Sequence, residues 1–213
     1  ALPLILVFFF SKNLPETTAF LETRERINNG TEHKPSMFAI FAKPYRKHII
    51  AIMGLWIGMY LCYSSAINFF TYHVVNDLGW QPNQVSLVTA LAFTLGLAGY
   101  YVVGKLLDAI GRKKTAYIFF FLGACAVTLV FQLDHFVQIA IAQIVAVFFI
   151  GTFTVLCATF TNELFPTEIR ASATAWGNNI VGRLGQIAAP ALVGVLTIPV
   201  GGVANAVSLL TLG

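Results

Sequence analysis

Charge is scarce in this chain: 10% of its 213 residues are Asp, Glu, Lys or Arg, against about 25% in soluble domains. That excludes an ordinary water-soluble domain. A mean hydropathy of +0.77, with 57% hydrophobic residues, points instead to a chain that crosses a membrane. Cysteine is scarcer still. Cys62, Cys125 and Cys157 all lie within apolar runs, which excludes a disulfide framework and leaves them as small apolar fillers. None of the nine acids falls in the middle of a run, and His33, His48, His73 and His135 are dispersed over loops and run edges. Intramembrane catalysis would need a nucleophile with its base, a metal cluster or paired carboxylates. None can be assembled from this pattern, so neither an enzyme nor a metal or cofactor is expected. The segment Gly111 to Thr115 also lacks the preceding glycine and the spacing of a phosphate-binding loop.

What is present is a series of apolar runs. Stretches long enough to span a bilayer, about 20 residues each, cover 49–72, 84–107, 115–133, 136–160 and 173–198, with shorter runs at 1–11 and 200–213. The chain opens without Met inside one run and stops inside another, at Leu210, Thr211, Leu212 and Gly213, so we expect a piece of a larger protein. A signal peptide is not expected at residues 1–10, because no basic leader or small-residue cleavage site precedes Ser11.

The basic residues orient the runs. Lys12, Arg24, Arg26, Lys34, Lys43, Arg46 and Lys47 precede the first complete run, Lys105, Arg112, Lys113 and Lys114 fill the second gap on that side, and Arg170 ends the third. The intervening gaps, Asn76 to Asn83 and Gln132 to Phe136, hold no Lys or Arg. The positive-inside rule makes the basic side cytoplasmic. Asn29, Gly30 and Thr31 form a glycosylation sequon, but on that side it should stay unmodified. The net charge of +4 thus reports topology and calls for no nucleic-acid partner.

The cytoplasmic gaps carry motifs. Gly104, Lys105, Leu106, Leu107, Asp108, Ala109, Ile110, Gly111, Arg112, Lys113 supply a small residue for close helix contact, an acid near a basic cluster and a glycine for a left-handed turn. The run resembles the signature loop of the major facilitator superfamily, G-x-x-x-D-x-x-G-R-[RK]. Glu163, Leu164, Pro166, Thr167, Arg170 and Ala171 resemble the segment after that superfamily's tenth helix. Leu14, Pro15, Glu16, Thr17, Phe20, Leu21 and Arg24 are similar to the segment after its sixth, with Thr18 and Ala19 departing from the pattern.

The resemblance implies an all-α polytopic membrane protein, the C-terminal six-helix bundle of a twelve-helix transporter. Residues 1–11 would end helix six, 12–47 would form the cytoplasmic loop between bundles, and 48–213 would be helices seven to twelve, the last incomplete. Families sharing these motifs include sugar porters, metabolite and aromatic-acid proton symporters, and organic ion transporters. It further implies that Asp108, Arg112, Glu163 and Arg170, joined by Glu16, form a charge network that closes the cytoplasmic side; a merely solvated face is the competing reading. The expected partners are a small-molecule substrate, protons as coupling ion, membrane lipid and an N-terminal six-helix bundle. The expected location is the plasma membrane or a bacterial inner membrane.

One basic residue breaks the pattern. Arg183 sits in the middle of a run; ten residues from Ala173, at about 1.5 Å each, put it some 15 Å deep, near the centre of a ~30 Å hydrocarbon core. An Arg there costs about 2.5 to 3.5 kcal/mol on insertion scales, so it must face a water-filled cavity or an anionic partner. At 100° per residue, Trp176, Asn179, Arg183 and Gln186 share an arc of about 80°. Asn178, Gly182, Gly185 and Ala189 fall roughly opposite, a surface suited to packing on another helix. In helix seven Trp56, Tyr60, Ser64, Asn68 and Thr71 recur at helical spacing, with Gly54 and Gly58 as a small-residue contact on another face. In helix ten Gln143, Val147, Ile150 and Thr154 share a face. The candidate substrate-binding residues are therefore Arg183, Asn179, Gln186, Tyr60, Asn68, Gln143 and Trp176.

Two readings of Arg183 stay open. It binds the carboxylate of a substrate with its planar fork, or it pairs with an acid of an N-terminal half. The resemblance favours the first, since organic anion transporters carry a basic residue in this part of helix eleven. The expectation is a secondary active transporter of a small organic anion, a monocarboxylate or aromatic acid, working by alternating access. The alternatives are a sugar or other neutral-solute porter with Arg183 internally paired, and a nontransporting receptor or scaffold. No mid-span acid or histidine is available here to carry a coupling proton.

Overall fold

The computed structural model describes Glu25 and residues 36–212. The chain divides into two compact units, Ala1–Met37 and Phe38–Gly213. The first falls almost wholly outside the described residues, including the expected end of helix six and Glu16. The second is helical throughout its described length. After a 3-10 turn at Ala39–Phe41 come α1 (Arg46–Tyr72), which runs on as a π turn over His73–Asp77, α2 (Pro82–Ala109) and α3 (Arg112–Gln132). Then follow α4 (Phe136–Gly151), α5 (Phe153–Leu164), α6 (Thr167–Thr174), a π-helical segment at Ala175–Gly182, α7 (Arg183–Val200) and α8 (Val203–Leu212).

Five helical stretches are long and apolar enough to span a membrane: Arg46–Asp77, Pro82–Ala109, Arg112–Gln132, Phe136–Leu164 and Thr167–Val200. They cover the five complete runs, save Leu133 at the end of the third, and extend up to six residues beyond them, as expected where 18 or more apolar residues must hydrogen-bond internally. Large apolar side chains such as Ile198, Tyr117, Val195, Ile187 and Phe121 are exposed. So much bare apolar surface suits lipid or another apolar partner and not water. The chain is an integral membrane protein.

The turns follow from composition. Gly111, between α2 and α3, has φ +90° and ψ 159°, a region essentially restricted to glycine. Across the bundle, Trp80 is buried against Phe70 and Phe136, with ring centroids 6.2 and 4.7 Å away. Glycine also sets helix approach: a Cβ on Gly99 of α2 would lie 2.5 Å from the Phe148 carbonyl oxygen of α4. The expected continuous tenth helix is interrupted at Thr152, which is fully buried and whose hydroxyl donates to the Phe149 carbonyl at 2.7 Å. A hydroxyl bonded back into the preceding turn bends a helix.

The element that positions the central arginine is the contact of α1 with the π segment and α7. Gly182 and Gly185, the predicted packing surface, lie directly on α1. A Cβ on Gly185 would collide with the Ile57 carbonyl oxygen, and one on Gly182 would come 2.9 Å from the Trp56 Cβ. Among the described residues Gly54 and Gly58 do not make the small-residue contact expected of them, and α1 turns its Ile52, Trp56 and Ile57 side toward the π segment and α7. Among the described residues nothing lies within 4 Å of a Cβ built on either glycine; both line an apolar groove with Cys62, Phe120 and Leu210.

Candidate functional site

Arg183 opens α7 midway along the 34-residue span Thr167–Val200. Its side chain is exposed and not ion-paired among the described residues. Two neighbours hold it. The guanidinium carbon lies 4.8 Å from the centre of the Tyr60 ring, and Nη1 donates to Gln186 Oε1 at 2.6 Å. A cation over an aromatic face gains roughly 0.5 to 2 kcal/mol, more where water is excluded. This leaves other guanidinium N–H groups free to donate to an incoming anion.

Tyr60 is itself fixed. Its hydroxyl donates to Asn178 Oδ1 at 2.6 Å, and its ring stacks on Trp56 at 6.0 Å and 29°. Trp56 is fully buried and donates Nε1 to the Thr161 hydroxyl at 3.1 Å, tying α1 to α5. One turn further along, Asn68 donates to Ser64 Oγ at 2.9 Å, and Ser64 donates to the Gln186 carbonyl at 3.3 Å. That carbonyl is available because Pro190, four residues on, has no N–H to offer it.

The structure thus gathers Arg183, Gln186 and Tyr60, with Asn68 linked through Ser64; Asn179 is exposed on the same span, within the π segment. It does not gather the other two expected residues. Gln143 is buried at 4% exposure in α4, which packs chiefly on α2 and α3. Trp176 lies against Phe38 and Phe41, with centroids 5.7 and 5.1 Å away, and its buried Nε1 has no hydrogen-bond partner among the described residues. The π turn explains the difference. Regular helix puts residues seven apart on one face, but the wider i to i+5 turn breaks that phase between Trp176 and Arg183. Asn178, assigned by the helical period to packing alone, is the polar neighbour that the sequence reading missed.

At the basic end, Arg112 Nε donates to Glu163 Oε1 at 2.7 Å, Nη1 donates to the Leu107 carbonyl at 2.9 Å, and Asp108 lies 3.6 Å away. Arg170 does not join them: its Nε is buried without a hydrogen-bond partner among the described residues. In an unbroken helix Glu163 and Arg170 would share a face, but Phe165 and Pro166 are extended between α5 and α6 and reset the phase. At the other end His73 is buried, with Nδ1 2.8 Å from Asp77 Oδ2 and its ring 5.2 Å from Phe131. Among the described residues no His, Cys, Asp and Glu cluster could hold a metal.

The apolar grooves lie elsewhere. One of about 410 Å³ between α1, α3 and α5 is lined by Ile52, Leu55, Phe120 and Phe160 with Lys113 at its edge, and offers no comparable polar set. Arg183 lines none of these grooves and is exposed.

The family model of the Major Facilitator Superfamily matches residues 34–212. The chain belongs to this superfamily. Among its curated relatives, the niacin transporter NiaP of Acinetobacter baylyi is 31% identical over 90% of this chain and 49% of its own length. The cis,cis-muconate transport protein of the same organism is 28% identical over 90% and 46%. The glycine betaine/proline/ectoine/pipecolic acid transporter OusA of Dickeya dadantii is 28% identical over 84% and 38%. This superfamily chain therefore spans between 38% and 49% of the length of these relatives, which are transporters and not enzymes.

Proposed function

We propose that this chain is the C-terminal bundle of a secondary active transporter that moves a small organic anion, a monocarboxylate or aromatic acid, by alternating access. The single observation that carries this reading is Arg183: a mid-span cation, exposed, laid on Tyr60 and without an acidic partner among the described residues. A carboxylate supplies the charge that such a site lacks, and the guanidinium fork suits it. Tyr60, Asn68, Asn179 and Gln186 would line the same wall. The names of the niacin and muconate relatives support an anion. Asp108, Arg112 and Glu163 would act as the cytoplasmic charge network, with the basic loops facing the cytoplasm.

The test is uptake by the intact carrier in proteoliposomes, using labelled nicotinate, cis,cis-muconate, glucose and tetraethylammonium, with wild type beside Arg183→Gln. The expected result is uptake of an anion that falls at least about 100-fold in the variant, as for loss of a charge-assisted bidentate contact. Uptake of glucose alone would make the carrier a neutral-solute porter, and undiminished anion uptake by a folded Arg183→Gln would show that Arg183 is not the anion's partner; either result places Arg183 in an internal ion pair.

A further inference from the structure

We propose that Asn178 is a positioning residue for anion recognition: by accepting the Tyr60 hydroxyl it fixes the phenol ring as the platform on which Arg183 rests. The inference builds on the reading of Arg183 as the anion's partner and assigns a role to a residue that helical periodicity places with packing glycines.

Three contacts bracket the Tyr60 ring. Trp56 stacks on it at 6.0 Å, the Gly182 backbone is so close that an added Cβ would stand 3.2 Å from Tyr60 Cδ2, and the hydroxyl is pinned on Asn178 Oδ1 at 2.6 Å. The first two restrain the ring in two places; only the third fixes the swing of its polar end. Asn178 is half-buried one turn before Gly182, on the side of the π segment that meets α1. A tyrosine hydroxyl inside an apolar bundle needs such a partner, because leaving it unpaired is costly. Arg183 lies over this ring at 4.8 Å and, being exposed, has a long flexible side chain to hold in place. Removing Asn178 therefore loosens the platform and lets the guanidinium spread over more rotamers, a cost met on binding. The loss should fall on affinity more than on turnover.

The experiment is a double-mutant cycle in the intact carrier with Asn178→Ala, Tyr60→Phe and both together. Two readouts are taken: KM and Vmax for labelled nicotinate, and the rate at which phenylglyoxal modifies Arg183, followed by peptide mass spectrometry. Each single variant is expected to raise KM about fivefold, with a smaller change in Vmax, and to speed Arg183 modification; the double should be no worse than either single, as for one shared hydrogen bond. Additive effects, or an Asn178→Ala variant that leaves both KM and Arg183 modification unchanged, would overturn the proposal. Its failure is separable from that of the functional reading. If Arg183→Gln abolishes anion uptake while the cycle is additive, only the role of Asn178 falls. If Arg183→Gln transports the anion normally, the reading of Arg183 as the anion's partner falls, and the phenylglyoxal cycle still decides whether Asn178 holds Arg183 through Tyr60.

Discussion

At the scale of single residues, the candidate site is a stack of planar groups hung on one buried indole. Trp56 is fully enclosed, bonded to Thr161, and carries Tyr60, which carries Arg183. Trp56→Phe keeps most of the packing but leaves the Thr161 hydroxyl without its donor, so a loss of about 1 to 3 kcal/mol is expected in thermal or denaturant unfolding. Thr161→Val should cost a similar amount, and the pair should be less than additive. The exposed Arg112 and Glu163 pair behaves differently. Arg112→Gln should barely change the melting temperature, since exposed pairs contribute little to stability. It should alter uptake kinetics if the pair closes the cytoplasmic side, and unchanged kinetics would reduce it to surface charge.

At the scale of elements, the spans were legible because a bilayer imposes a length and a polarity that composition alone reveals; four of the five predicted runs lie within the observed ones and the fifth overruns by Leu133 alone. Faces were legible only where the helix stayed regular. Arg183 and Gln186, three apart in α7, meet as the period requires. Trp176 and Arg170 do not fall where expected, since a π turn and an extended Phe165 and Pro166 each shift the phase. Contacts between distant elements, such as Tyr60 with Asn178, depend on which faces oppose, and no local pattern encodes that. The close approach of α7 to α1 is itself testable. Gly185→Ala drives a methyl into the Ile57 carbonyl, and overpacking of this kind costs about 1 to 3 kcal/mol, read as a lower melting temperature in detergent. Ser64→Ala should remove the donor to the carbonyl that Pro190 leaves open, with a loss of about 1 kcal/mol in the same measurement.

At the scale of the whole molecule, a carrier must grip its cargo on one side of the membrane and release it on the other. Gln186 bears on the release. Its amide oxygen already holds one Arg183 N–H, so the guanidinium is partly hydrogen-bonded before any anion arrives. On the proposed function, an arriving carboxylate would meet an arginine already held by one neutral amide oxygen, so loading would extend or exchange a hydrogen bond that already exists, which would keep the grip shallow enough for repeated cycling.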